Sequence, residues 1–213
     1  MKETLKRWYL IMVCLFIMLW LPTVRVSAAS IIASGTCGSK GDNLTWELNS
    51  DGILNISGEG QMASYNTSYT APWYNYRTSV KKVVINEGVT DIGSYAFNAC
   101  DVMTEITFPD TLTQICSYAF YSCDGLKDVT FPESLVTIGK RAFGDCDVLT
   151  QIRIPAGVTL GEGAFATCKS LKNVSNVCQR NTTSKTTNFH QTLRKNNFLQ
   201  RTASSKTGKC SFR

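Results

Sequence analysis

One run of residues recurs four times along this chain of 213 residues. Its first copy is Ile92-Gly93-Ser94-Tyr95-Ala96-Phe97-Asn98-Ala99-Cys100, and the later copies centre on Ala119-Phe120, Ala142-Phe143 and Ala164-Phe165. The four phenylalanines are spaced 23, 23 and 22 residues apart, and each is followed three positions on by Cys100, Cys123, Cys146 or Cys168. Three residues further comes a large apolar side chain (Met103, Leu126, Leu149, Leu171). An apolar alternation follows: Ile106/Phe108, Val129/Phe131, Ile152/Ile154 and then Val174, with Pro109, Pro132 and Pro155 closing the first three. A unit this short cannot bury its own apolar face, so each repeat must be covered by its neighbour. The phenylalanines and cysteines are therefore expected to form buried columns along a stack of coils.

The segment Leu149-Thr150-Gln151-Ile152-Arg153-Ile154 reads as a short strand with residues 149, 152 and 154 inward. Pro155 then ends the pairing, because proline has no N–H to give a ladder. The Ala-Phe pair is expected on the opposite wall, in a helical or 3₁₀ turn. Gly93, Gly139 and Gly161 follow the apolar residue that opens their copies, where a tight bend or positive φ is expected. A period of 20–29 residues with this apolar spacing is the signature of leucine-rich repeats. The motif Ile-Gly-x-x-Ala-Phe-x-x-Cys-x-x-Leu-x-x-Ile-x-Ile-Pro resembles the BspA-type leucine-rich repeat of secreted and surface proteins. Ser34-Gly35-Thr36-Cys37-Gly38, Leu44–Leu48, Asp51–Gly58 and Ala71-Pro72-Trp73 resemble the lead-in that this family places before its repeats. The fold class expected is an α/β-type solenoid: short parallel strands and 3₁₀ or irregular turns, a small β-rich N-terminal cap and a disordered basic tail. The resemblance implies cell-surface adhesion or protein binding, with a protein ligand on a host cell, a neighbouring cell or its matrix. It names no ligand.

The chain divides by composition. Residues 1–28 open with Lys2, Lys6 and Arg7, continue through an apolar stretch from Trp8 to Leu21 and end in the small residues Ser27-Ala28. That is the pattern of a secretory signal peptide, with an uncleaved anchor as the alternative. Residues 29–79 read as the β-rich lead-in, where Leu44–Leu48 and Ile53–Ile56 alternate at period two around the turn Asn49-Ser50-Asp51-Gly52. Residues 80–175 hold the repeats, and 176–213 form a tail expected to be disordered. Residues 29–175 carry ten basic and fifteen acidic side chains, whereas 176–213 carry eight basic and none acidic. The overall charge of +6 is therefore no property of the repeats and does not indicate a nucleic-acid partner. Secretion or display at the cell surface is expected, with no integral membrane association once the signal is cleaved.

Chemistry has few places to reside. The one histidine, His190, lies in the tail, so a Ser-His-Asp or Cys-His site has no base among the repeats. Asp145 and Asp147 are either a carboxylate pair of the kind used on glycosides or solvated turn residues. No phosphate loop, dinucleotide fingerprint or calcium loop occurs. The cysteine column reads best as reduced structural thiols, with a disulfide or a metal site as alternatives. No enzyme activity, cofactor or metal is expected. The aromatic group Tyr65, Tyr69, Trp73, Tyr74 and Tyr76 either caps the first repeat or forms a platform for carbohydrate or peptide.

What remains is the outward side of the strands: Lys81, Lys82 and Val84; Thr104, Glu105 and Thr107; Lys127, Asp128 and Thr130; Thr150, Gln151 and Arg153; and Lys172 and Asn173. It lacks the aromatic anchors that dominate tight interfaces. It is either an ordinary soluble face or a binding face that gains strength by avidity. An accessory repeat module of a larger surface protein or enzyme is the alternative function; further repeats or a catalytic domain encoded downstream would favour it.

Overall fold

The computed structural model describes residues 29–176 and 211–212. The expected signal peptide and most of the expected disordered tail lie outside these residues. The chain opens with β1 (Ile31–Gly38), β2 (Gly41–Asn49), β3 (Ile53–Gly58) and β4 (Gly60–Gln61), and continues through a 3₁₀ turn at Tyr74–Tyr76. The repeats then supply β5 (Lys82–Ile85), β6 (Val89–Ile92), β7 (Glu105–Thr107) and β8 (Gln114–Ile115). β9 (Asp128–Thr130), β10 (Thr137–Ile138), β11 (Gln151–Ile154), β12 (Thr159–Leu160), β13 (Asn173–Asn176) and β14 (Ser211–Phe212) complete the order.

The expected hairpin forms between β2 and β3, pairing Trp46 with Ile56 and Leu48 with Leu54. Its turn is closed by Asn49, whose Oδ1 accepts from the N–H of Asp51 and of Ile53, while Gly52 takes the positive φ of 84°. β3 then pairs in parallel with β5, in the register that β5 keeps with β7. The lead-in is thus continuous in hydrogen bonding with the first repeat. One sheet runs β1-β2-β3-β5-β7 and another β14-β13-β11-β9. A third, β4-β6-β8-β10-β12, forms a separate parallel ladder built from the second strand of each repeat.

The Phe wall differs from the expected helical turn. Residues 94–99 form a series of turns, and Tyr95, Ala99, Tyr118, Ser122, Arg141, Asp145 and Thr167 sit at positive φ. This alternation points backbone N–H groups at the next repeat. Phe97 donates to the Ala119 carbonyl at 2.8 Å, Phe120 to Ala142 at 2.7 Å and Phe143 to Ala164 at 2.8 Å. A helix would have consumed those donors internally and left no third seam between repeats. Of the two alternatives expected at the glycines, positive φ is corrected as well. Gly139 and Gly161 are not at positive φ; a Cβ on Gly139 would lie 2.6 Å from the Ser117 backbone nitrogen, and one on Gly161 2.4 Å from that of Lys140. Close approach of successive coils, and not a left-handed bend, excludes side chains there.

Trp73, Phe97, Phe120, Phe143 and Phe165 stack in one file, with ring centroids 5.3, 5.1, 4.9 and 5.4 Å apart. All five are fully buried. Phe108 and Phe131 form a short second file, 5.9 Å apart, with edges against Phe120 and Phe143. Stacked and edge-on pairs add about 0.5–1.5 kcal/mol each beyond the area buried. At the far end, β14 lies antiparallel to β13, pairing Phe212 with Val174 and Ser211 with Ser175.

Candidate functional site

The residues that could act fall into a buried column, an aromatic end and an exposed strand face. In the column, the Cys123 thiol donates to the Phe97 carbonyl at 3.1 Å, Cys146 to Phe120 at 3.2 Å and Cys168 to Phe143 at 3.0 Å. Each sulfur reaches back one repeat, so the column ties coil to coil with weak S–H donors. Cys37, Cys100, Cys116, Cys123, Cys146 and Cys168 are all free. Among the described residues, no group of three or more His, Cys, Asp or Glu side chains is placed to hold a metal ion.

Burial pushes the Cys100 thiol up to about 12. Burial also raises Cys123. Because the thiolate is the reactive form, these sulfurs are poor nucleophiles. Burial raises Cys116 as well, but it is only half-buried, so reagent can reach it, and a hydrogen bond from Gln114 Nε2 at 3.4 Å opposes the rise. Iodoacetamide at about pH 8 should therefore label Cys116 in the folded chain and spare Cys100, Cys123 and Cys146 until it is unfolded. Equal labelling rates for Cys116 and Cys123 would contradict the buried column. A raised folded-state value also carries a sign: an unfolded chain releases these protons near pH 9, while the folded chain holds them. The contribution of Cys100 is complete below about pH 9 and is lost as pH climbs toward 12, so melting temperature should fall across that window.

The aromatic group divides. Trp73 and Tyr65 are buried, Tyr74 is half-buried, and Tyr69 and Tyr76 are exposed. Trp73 Nε1 donates to the Ala96 carbonyl at 2.8 Å, which pins the lead-in to the first repeat. Trp73 is thus the first ring of the Phe file, 24 residues before Phe97. The sequence signal was that spacing, obscured by the change of residue type. Asp147 is held by Lys169 at 2.6 Å, and Asp145 sits at a turn with φ of 62°. That geometry favours turn residues over a carboxylate pair.

On the strand face, Lys81, Thr104, Glu105, Thr107, Lys127, Asp128, Thr130, Gln151 and Arg153 are exposed, while Lys82, Val84 and Thr150 are half-buried. Lys82 pairs with Glu105 at 3.0 Å across one rung, and Asp128 accepts from Thr150 Oγ1 at 3.2 Å across another. The structure brings these residues into register within two strand pairs: Lys82 opposite Glu105 and Val84 opposite Thr107 in one, Gln151 opposite Asp128 and Arg153 opposite Thr130 in the other. Sequence reasoning missed the second ladder, whose outward side carries Gln114, Thr137 and Thr159. Its signal was the recurring apolar pair three apart: Val89/Ile92, Leu112/Ile115 and Leu135/Ile138, all buried.

Two parallel ladders, a file of rings every repeat and a column of thiols agree with the family comparison. The model of the BspA type leucine rich repeat region matches residues 71–195 in six copies. The chain belongs to this family. It is similar in structure to a leucine-rich repeat protein from Eubacterium ventriosum, with 28% identity and a TM-score of 0.54 over 68% of this chain and 44% of that one. Similarity extends to the leucine rich repeat protein of T. pallidum, at 29% identity and a TM-score of 0.48, over 65% of this chain and 70% of that one. A leucine-rich repeat protein from Bacteroides ovatus matches at 28% identity and a TM-score of 0.47, over 62% and 39%. The chain therefore spans less than half the length of the Eubacterium protein. No curated protein matches it. The six copies exceed the four read from the Ala-Phe motif, and the matched span starts at Ala71, with Trp73 as its ring. Among the described residues, no helix of this BspA-type repeat protein is long and apolar enough to cross a membrane.

Proposed function

We propose that this chain is a secreted or cell-surface, non-catalytic repeat protein whose solenoid binds another protein through the outward side of β5, β7, β9 and β11. The family membership supports a protein-binding surface repeat, and the signal-like residues 1–28 support export. The observation that carries the choice of face is its register. Four successive strands present twelve side chains, nine of them exposed, in two laddered pairs, β5 with β7 and β9 with β11. Such a surface binds with little loss of backbone entropy on association. Adhesion follows from repetition of modest contacts across many copies on a surface.

The test uses beads coated with the purified chain and layers of cultured cells. Retention should fall when the layer is first treated with trypsin. It should also fall for the triple variant Thr107→Glu, Thr130→Glu, Gln151→Glu, and hold for Gln114→Glu with Thr137→Glu on the other ladder. Retention that survives trypsin would exclude a protein ligand, and equal loss for both variants would exclude this face.

A further inference from the structure

The strand face is not uniform along the stack. β5 pairs with β7 and β9 pairs with β11, yet β7 and β9 share no ladder pairing and belong to different sheets. The cause lies beneath. The two unpaired strands are those followed by Phe108 and Phe131, where the flanking repeats carry Ile85 and Ile154. These rings stack at 5.9 Å, wider than the 4.9–5.4 Å of the main ring file, whose coils are hydrogen-bonded to one another. The rings act as a wedge, and the surface opens above them. A depression of about 500 Å³ lies there, with Ile106 and Val148 as its apolar lining and Lys127, Glu105 and Asp128 as its charged lining; Glu105 is paired with Lys82, and Asp128 accepts from Thr150. Ile106 is half-buried, whereas its equivalents Val83, Val129, Ile152 and Val174 are buried. Val148 is 41% exposed.

Alongside runs one column of side chains: Lys81, Thr104, Lys127, Thr150 and Lys172. Its coils are tied by N–H bonds from Thr104 to Lys81, from Thr150 to Lys127 and from Lys172 to Thr150, at 2.9, 3.0 and 3.0 Å. All three lysines are exposed, and among the described residues none is in an ion pair, although Lys82, Lys140 and Lys169 each have a carboxylate partner. They are unneutralised cations on a body, residues 29–175, whose acidic side chains outnumber its basic ones. Two bonded strand spacings, about 9.6 Å, separate Lys127 from Lys172, close to the rise of three residues in an extended chain, and the step from Lys81 to Lys127 is longer because it crosses the opening.

We infer that the partner segment is an extended acidic peptide that lies along the stack axis. One apolar side chain fills the depression between β7 and β9, and carboxylates about three residues apart meet Lys81, Lys127 and Lys172. The inference rests on the proposed binding face and adds the chemistry of what it holds. A polyanion would satisfy the lysines but leave the apolar opening unfilled, so the depression favours a peptide.

The probe is a labelled peptide of about twelve residues with glutamate at every third position and a central leucine, read by fluorescence anisotropy. The full chain should bind it, less tightly as salt rises. Lys127→Glu should weaken binding about tenfold or more, while Lys40→Glu, the same charge change at the β1–β2 turn, should leave it nearly unchanged. Replacing the peptide's leucine by serine, or making Val148→Ser, should weaken it severalfold. Phe131→Ile, which places in the wedge the residue type of its flanking repeats, should weaken it too; circular dichroism confirms that each variant is folded. Equal weakening by Lys127→Glu and Lys40→Glu would overturn the inference. So would a sulfated oligosaccharide that binds as tightly as the peptide with no response to Val148→Ser, which would mark a polyanion surface. Absence of peptide binding would also overturn it. If bead retention still falls for the Thr107, Thr130 and Gln151 variant, the face stands and only the acidic-segment assignment fails.

Discussion

Replacing Phe143 by alanine is expected to cost about 3–5 kcal/mol, the range for emptying a buried aromatic site. Phe143 is fully buried, stacked between Phe120 at 4.9 Å and Phe165 at 5.4 Å, with the edge of Phe131 at 5.4 Å. Its neighbours cannot collapse into the space, because their backbones are held by bonds between repeats: Phe120 donates to the Ala142 carbonyl and Phe143 to that of Ala164. The Phe143 carbonyl also takes the Cys168 thiol, so a backbone shift would loosen the next rung. A loss of this size is a large fraction of the stability of an ordinary domain. Urea unfolding of Phe143→Ala and Phe143→Leu measures it, with leucine expected to recover more than half of the loss. An alanine variant whose midpoint stays within error of the parent would mean that the Phe file is not the core.

Trp73→Ala is the second large effect, again about 3–5 kcal/mol, and its origin is mixed. The indole is the end ring of the file and stacks on Phe97 at 5.3 Å, with Trp46 and Tyr65 edge-on at 5.8 and 6.1 Å. Its N–H satisfies the buried Ala96 carbonyl. Trp73→Phe separates the two contributions. It keeps a ring but orphans the carbonyl, at about 1–3 kcal/mol. The expected order of midpoints is parent, Trp73→Phe, Trp73→Ala. If both variants unfold together, the hydrogen bond to Ala96 dominates and the stacking account of the lead-in fails.

Both effects bear on how the lead-in joins the repeats. β3 occupies, one rung earlier, the place that β5 occupies in the first repeat, so strand pairing and ring stacking begin before the Ala-Phe motif does. The lead-in covers the apolar end that a stack of coils exposes, which such proteins require to stay soluble. On the tail side, β13 presents an edge that β14 pairs with, and a bare parallel edge is a site for unwanted strand addition.

The sequence alone determined which residues are equivalent. A period of 23 residues assigns Phe97, Phe120 and Phe143 to one position and Cys100, Cys123 and Cys146 to another, and apolar character then sends both inward. It also placed the outward rows of the strand face, because alternation along a strand has a period of two. Tertiary structure decided how equivalent residues meet. The second ladder has strands of two residues at β8, β10 and β12, too short for any alternation to register. The turns around the phenylalanines adopt positive φ at tyrosine, alanine and serine because bonding to the next coil outweighs the local preference for a helical turn. Glycine at 139 answers to a backbone from another repeat, 2.6 Å from where its Cβ would stand. The missing pairing between β7 and β9, beside the stacked Phe108 and Phe131, exists only once the coils are stacked. Periodicity names the partners, whereas distances between coils, which only packing sets, decide which of them bond.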